Sequence, residues 1–310
     1  MREFAYERPP DAAAAVAAAD GAQTMYLGGG TNLVDLMKLG VEAPARLVDV
    51  SRLSAAIEEL PGDGLRIGAG VRNADLAVAV RDRFPVLSEA LLAGASGQLR
   101  NVATVGGNLL QRTRCAYFQD VSKPCNKRQG GRGKNGCPAR EGQHRNLAIL
   151  GHSEHCVATH PSDMAVALTA LDAQVGVLGP GGKRTIPMPG LHRLPGDAPE
   201  RDTVLEPGEL ITHVDLETLR GPSAYRKVRD RASFSFAVVS IAVAGGRIAF
   251  GGLAHAPWRA ERAEAALRDG ATSAEAADAE LTHAEPLRDN AFKVTLARNL
   301  LVRTLEEMAT

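Results

Sequence analysis

The sequence predicts an α+β protein of two units, and three observations carry that expectation. The first 100 residues mix short strand patterns with short helical ones. After residue 190 the stretch LHRLPGDAPERDTVLEPGE is rich in Pro, Gly and charge, which marks a linker. Beyond it an antiparallel strand pair precedes three helical patterns. The chain of 310 residues is long enough for two or three domains with cores of their own. These boundaries give a first unit over 1–190, divided near residue 52, a linker over 191–222, and a C-terminal α+β unit over 223–310.

Each element follows from a local signal. The N-terminal segment reads as a strand and then a helix over 11–20, after Pro9 and Pro10, with Asp11 as its cap and Gly21 as its stop. TMYL is a strand that runs into GGGTNLVDLMKLG, a glycine turn opening a helix with Leu33, Leu36 and Met37 on one face. LVDV at 47–50 is a strand, and IEEL-PGDG-LRIGAG reads as two strands around a turn. Residues 73–94 carry two helical patterns split by Pro85. VATVGGNLL is an apolar run broken by Gly106 and Gly107, a pairing that suits close backbone approach. DMAVALTALDA is a helix and AQVGVLGPGGKRTIPM a hairpin. SFAVVSIAVA and RIAFGGLAHA pair across Gly245-Gly246, and helical patterns follow at 259–268, 273–282 and 286–307.

Lys plus Arg equals Asp plus Glu at 36 each, so charge offers no general reason to expect nucleic acid as a partner. No window approaches about 18 uninterrupted apolar residues, so no membrane span is expected. The N-terminus lacks the basic-then-apolar order of a secretory signal.

Three short motifs and one cysteine-bearing segment carry chemistry. GGGTN at 28–32 lies between a strand and a helix, where successive amides and the helix start suit a phosphate; a tight turn without a ligand accounts for it equally well. TVGGN at 104–108 is a second such turn, and two of them suit a ligand as large as a dinucleotide. HPSD at 160–163 offers Ser162 or Asp163 as a helix cap, or a carboxylate for sugar hydroxyls. All four cysteines, Cys115, Cys125, Cys137 and Cys156, fall in one segment, separated by nine, eleven and eighteen residues. A disulfide framework does not suit a chain of this size without a signal. Zinc lacks its short Cys pairs, although His144, His152, His155 and His160 keep it open. An iron–sulfur cluster tolerates wider spacing. Arg112, Arg114, Lys123, Lys127, Arg128, Arg132, Lys134, Arg140 and Arg145 surround the thiols, against Asp120 and Glu141. Such cations favour thiolates and offset the charge of a thiolate-bound cluster. A solvated basic loop or a nucleic-acid patch is the other reading, weakened by having only Tyr117 and Phe118 to stack.

The order GGGTNLVDLMK, ATVGGNL, HPSD, YRKVRDRASFSFA and GGLAHAPWR resembles the FAD-binding subunits of the molybdenum hydroxylase family, over nearly the whole chain. Most members pass from the GGN turn to the Pro-Ser-Asp element in a handful of residues. Here about 50 intervene and hold every cysteine, as an insertion at about 111–158. With QRTRC and CNKRQ, it is similar to the FAD subunits of bacterial periplasmic aldehyde oxidoreductases, whose insertion binds a [4Fe–4S] cluster. The β subunit of 4-hydroxybenzoyl-CoA reductase, also with an extra cluster here, is the alternative within the family. The resemblance implies a vanillyl-alcohol-oxidase-like (PCMH-like) FAD domain of two subdomains, then a carbon monoxide dehydrogenase flavoprotein C-terminal domain. It implies that Leu27, Gly28, Gly29, Gly30, Thr31, Asn32 and Leu33 bind the FAD pyrophosphate through backbone amides, and that Thr104, Gly107 and Asn108 complete that site. It further implies that Asp163 binds FAD hydroxyls and that Lys227 lies near the flavin ring. Gly30 stands where xanthine dehydrogenases have Asn, and Asn32 where they have Glu, departures that leave the backbone contacts in place.

The function so implied is an electron-transfer subunit with FAD and one [4Fe–4S] cluster on the four cysteines, in a heterotrimer. Its partners would be a [2Fe–2S] subunit and a molybdenum-cofactor subunit that oxidises aldehyde to carboxylate; electrons would leave the flavin for an external acceptor. The location expected is the periplasm, by export of the folded complex on a partner's signal, or the cytoplasm. Two readings from other classes are a free-standing flavin oxidase, which needs acid–base groups of its own, and a zinc-bearing adaptor, which leaves both glycine turns unexplained.

Overall fold

The computed structural model describes residues 1–19, 21, 23–128 and 136–309. Arg132 and Lys134, named above, and residue 20 at the end of the expected first helix lie outside the described residues.

The first subdomain is a parallel sheet of β1 (Ala5–Glu7), β2 (Thr24–Leu27) and β3 (Arg46–Asp49), in the order β1-β3-β2. Parallel neighbours need a crossover, and the helices Ala12–Ala18 and Leu33–Lys38 supply them. Asp11 caps the first, its carboxylate accepting from the Ala14 amide at 2.8 Å. Asp49 closes β3, buried, accepting from the Tyr6 hydroxyl, from Arg8 Nε at 2.7 Å and from the Ser51 amide at 2.8 Å. Those donors hold its carboxyl down to about 2, overcoming the burial that pushes it up.

The second subdomain is an antiparallel sheet of β4 (Ile57–Leu60), β5 (Gly64–Gly68), β6 (Gln174–Gly179), β7 (Gly182–Pro187) and β8 (Leu210–Leu216), in the order β4-β5-β8-β6-β7. β8 corrects the linker expected over 191–222. It bonds to β5 on one side and β6 on the other, so the first unit's sheet extends past residue 190 to Leu216. The helices Asn73–Ala79, Pro85–Ala93 and Asp163–Ala170 share its core with Ile67, Val175 and Val214.

The C-terminal sheet orders β9 (Ser223–Val228), β10 (Val239–Ala244), β11 (Arg247–Gly251) and β12 (Trp258–Arg259) as β12-β11-β10-β9. Every residue of β10 is buried. Its alternate side chains divide between two cores: Ala242 and Ala244 join the first unit's core, while Ile241 and Val243 pack with the C-terminal helices. A strand covered on both faces reads as a continuous apolar run, which is what IAVA at 241–244 is. The last helix begins at Phe292 rather than 286, because Asn290 is committed elsewhere. Its amide nitrogen donates to the Leu147 and Ala148 carbonyls at 3.2 Å each, and its Oδ1 accepts from the Leu287 amide at 2.7 Å.

The described residues of the insertion have little regular structure beyond the helical turns Ala116–Gln119 and Pro138–Arg140. Irregular backbone leaves carbonyls to satisfy, and the arginines do so. Arg128 donates to Tyr117 O at 2.9 Å and Phe118 O at 2.6 Å; Arg140 reaches Ser153 O at 2.8 Å. Lys293, from the last helix, adds a donor to Leu147 O at 2.9 Å. Arg128 and Arg140 are thus bound to carbonyls of the insertion itself.

Candidate functional site

The two glycine turns meet. A methyl group at Gly29 would stand 2.1 Å from the Val102 carbonyl oxygen, and one at Gly28 would stand 2.9 Å from Thr104 Oγ1. Gly30 has φ +73°, a left-handed conformation that favours glycine. The loop therefore lies flat on the 102–104 segment because its side chains are absent. None of the backbone amides of residues 28–33 donates a hydrogen bond to another described residue, and this stretch is half-exposed throughout. Consecutive free amides at a turn make a nest for an anion. The Gly29 contact thus places that nest beside the second turn.

In that turn Thr104 caps the short helix Val105–Leu109, accepting from the Gly107 amide at 3.2 Å. Asn108 Oδ1 accepts from Ser162 Oγ at 2.7 Å and Gln111 Nε2 at 2.6 Å, so HPSD is tied to GGN. Asn32 Oδ1 accepts from the Arg112 amide at 2.9 Å. Thr31 and Leu33 are half-exposed and continue the loop into its helix.

Asp163 opens the helix Asp163–Ala170, with Ser162 as the cap. It is buried, its Oδ1 accepting from the Tyr225 hydroxyl at 2.5 Å and its Oδ2 from Lys227 Nζ at 2.8 Å. Lys227 also donates to Ala93 O at 3.0 Å. Burial and the adjacent Asp163 charge push the Tyr225 phenol well above its usual range. Tyr225 was not singled out from the sequence, although its place two residues before Lys227 on β9 puts both on one face of the strand. Removing one partner of a buried pair strands the other charge, at about 3–5 kcal/mol. Asp163→Ala is therefore expected to lower the urea midpoint markedly, and Lys227→Met in the same chain to restore part of the loss. Additive losses in the double variant would show that the pair is not coupled.

The four cysteines are free thiols and line one pocket, with Phe118, Lys127 and His155. Cys115 and Cys156 are buried, while Cys125 and Cys137 are half-buried. Burial pushes the Cys115 thiol up to about 11 and that of Cys156 to about 12, and raises Cys137; neighbouring cysteines add to each shift. Neighbouring groups oppose this: the Phe118 and Tyr117 amides favour a Cys115 thiolate, those of Val157, Ala139 and Arg140 a Cys137 thiolate, and the Lys127 charge with the Ala158 amide a Cys156 thiolate. Buried thiols gathered on one pocket suit a positive centre that replaces their protons. Among the described residues no three His, Cys, Asp or Glu side chains are grouped to hold a single metal ion. A tetrahedral zinc draws its sulfurs around one point, whereas a cluster holds its thiolates on separate irons.

The histidines divide. His155 lines the thiol pocket. His144 is buried, its Nδ1 accepting from the Asp289 amide at 3.2 Å, and His152 Nε2 lies 2.8 Å from Glu285 O. His160 packs against His192, the rings tilted by 59° with centroids 4.2 Å apart; His192 Nε2 donates to Leu109 O at 2.8 Å. A partly buried network missed from the sequence joins Lys127 to Asp202 and His255, and Arg112 to Asp202 and Glu42. No local pattern signals it, because its members come from four distant segments.

Residues 2–216 match the family described as FAD binding domain in molybdopterin dehydrogenase, and residues 223–308 match the CO dehydrogenase flavoprotein C-terminal domain. The chain is 51% identical to the aldehyde oxidoreductase FAD-binding subunit PaoB of Escherichia coli, over 99% of this chain and 98% of that one. It is 26% identical to the glyceraldehyde dehydrogenase medium chain of Sulfolobus acidocaldarius, over 84% of this chain and 80% of that one. Among solved structures it superposes on carbon monoxide dehydrogenase from Hydrogenophaga pseudoflava with a TM-score of 0.74 at 26% identity, covering 99% of this chain and 97% of that one.

Proposed function

This chain belongs to the FAD-binding subunits of the molybdopterin dehydrogenases, the molybdenum hydroxylase family of oxidoreductases, and from that membership we propose that it is the electron-transfer subunit of an aldehyde oxidoreductase, carrying FAD and one [4Fe–4S] cluster. The observation that carries the cluster is the meeting of Cys115, Cys125, Cys137 and Cys156 in one pocket. The aldehyde assignment is supported by the 51% identity with an aldehyde oxidoreductase subunit.

The residues present suit both groups. The free amides of 28–33 would hold the FAD pyrophosphate, with Thr104, Gly107 and Asn108 beside them. Asp163, which accepts from both Tyr225 and Lys227, and Lys227 itself would face the rest of the cofactor from the adjoining helix and β9. FAD supplies two-electron and one-electron exchange, and the cluster supplies one-electron exchange. This chain's residues bind and orient those groups and shield the thiols from water. The substrate chemistry belongs to a molybdenum-cofactor subunit, reached through a [2Fe–2S] subunit in a heterotrimer, and electrons pass from the flavin to an external acceptor.

A relay has no aldehyde site of its own. The purified chain is expected to show no aldehyde-dependent bleaching of its flavin in stopped-flow absorbance, and to bleach once the molybdenum-cofactor partner is restored. Rapid bleaching of the isolated chain would make it an oxidase in its own right.

A further inference from the structure

Most basic residues described in the insertion have structural duties: Arg128 and Arg140 cap carbonyls, and Arg145 pairs with Asp230 at 2.8 Å. Lys127 differs. Its side chain is 2% exposed, yet it stands on the wall of the pocket that the four thiols line. An ammonium so far from water needs an acceptor for each N–H. Lys127 has three: Asp202 Oδ1, Pro199 O at 3.0 Å and His255 Nε2 at 2.6 Å. His255 is turned to accept because its other nitrogen, Nδ1, donates to Arg193 O at 2.9 Å. Burial, with Lys127 next, pushes the His255 imidazolium down to about 4, so the ring stays neutral and keeps its lone pair on Lys127. Asp202 Oδ2 accepts from Arg112 Nε at 2.8 Å, and Arg112 is also paired with Glu42. The four charges of this group cancel as a whole, but Lys127 alone among them lines the thiol pocket.

We propose that Lys127 is a potential-setting residue for the group held by the four cysteines, with Asp202 and His255 as its positioning residues. The proposal rests on the reading of that group as a [4Fe–4S] cluster. Reduction adds one electron, and so one negative charge, to an anionic thiolate-bound cluster; no proton enters and no Cys–iron bond breaks. The electron comes from a partner's redox centre, or from dithionite in the assay. A fixed positive charge in a low-dielectric wall favours the more negative state more strongly than it would in water, and so raises the potential.

The test is a redox titration of the intact complex, followed by electron paramagnetic resonance of the reduced cluster, with iron measured on each sample. Lys127→Gln is expected to lower the midpoint by about tenfold in the reduction equilibrium, about 59 mV for one electron. Lys127→Arg is expected to keep most of the wild-type potential, and the flavin potential should stay in place. Full iron with an unmoved potential in Lys127→Gln overturns the inference and leaves the cluster reading standing. Should Lys127→Gln lose its iron, Asp202→Asn decides: removing the anion is expected to raise the potential, and a fall or no change overturns the role. A wild-type chain without iron overturns the cluster reading, and this inference with it.

Discussion

Each of the variants Cys115→Ser, Cys125→Ser, Cys137→Ser and Cys156→Ser is expected to fall from about four irons per chain to the level of a cluster-free protein, while keeping most of its FAD. The thiols share one pocket, so losing any one removes a corner of the site rather than an outlying contact. The flavin turns at 28–33 and 104–108 lie outside the insertion, which is why the two cofactors should separate in this test. Serine keeps the volume but buries a hydroxyl at Cys115 and Cys156, so the cluster-free forms of those two variants are expected to unfold at a lower temperature than cluster-free wild type, and the half-buried Cys125 and Cys137 variants to stay closer to it. Iron analysis and reduced-state electron paramagnetic resonance supply the measurement. One variant with full iron and an unchanged spectrum would remove that cysteine from the ligand set and bring forward His155, the histidine on the pocket wall. Zinc without iron in the wild-type chain would end the cluster assignment.

Gly29→Ala is expected to purify with little or no flavin. Its new carbon would lie 2.1 Å from the Val102 oxygen and 2.8 Å from the Val102 carbonyl carbon, contacts that real side chains do not make with backbone. The loop must lift away from the second turn, and overpacking of this kind costs about 1–3 kcal/mol or more. At about 1.4 kcal/mol per factor of ten in affinity, that alone weakens FAD binding by roughly ten- to a hundredfold. Gly190→Ala is the control, because its nearest neighbour, Pro187 Cγ, is 3.9 Å away. Flavin absorbance per polypeptide gives the result, and a fully loaded Gly29→Ala protein would take this loop out of the site.

Local signals carried much of the architecture. The glycine turn after TMYL, the hairpin at 174–187 and the pair across Gly245-Gly246 all stand where a run of strand formers meets residues that permit a turn. β8 was hidden for the opposite reason. LITHVDL is flanked by Pro, Gly and charge, and its partners β5 and β6 lie far away in sequence, so nothing local tells a central strand from a linker. β9 was missed likewise: its alternation is broken by the Lys and Arg of YRKV, and Lys227 is buried only because Asp163 and Ala93 meet it there.

By itself the sequence determined that four cysteines share one segment, that two glycine turns end in Asn, and that a Pro-Ser-Asp element follows an insertion. These are facts of composition and spacing, and the family resemblance rests on them. Tertiary structure alone decided that the four sulfurs line one pocket, that Gly29 lies on Val102, and that Lys127 is buried beside the thiols. The reason is physical. A loop residue's environment depends on what other segments bring to it, and a buried ammonium is stable only where three acceptors converge, here from Pro199, Asp202 and His255.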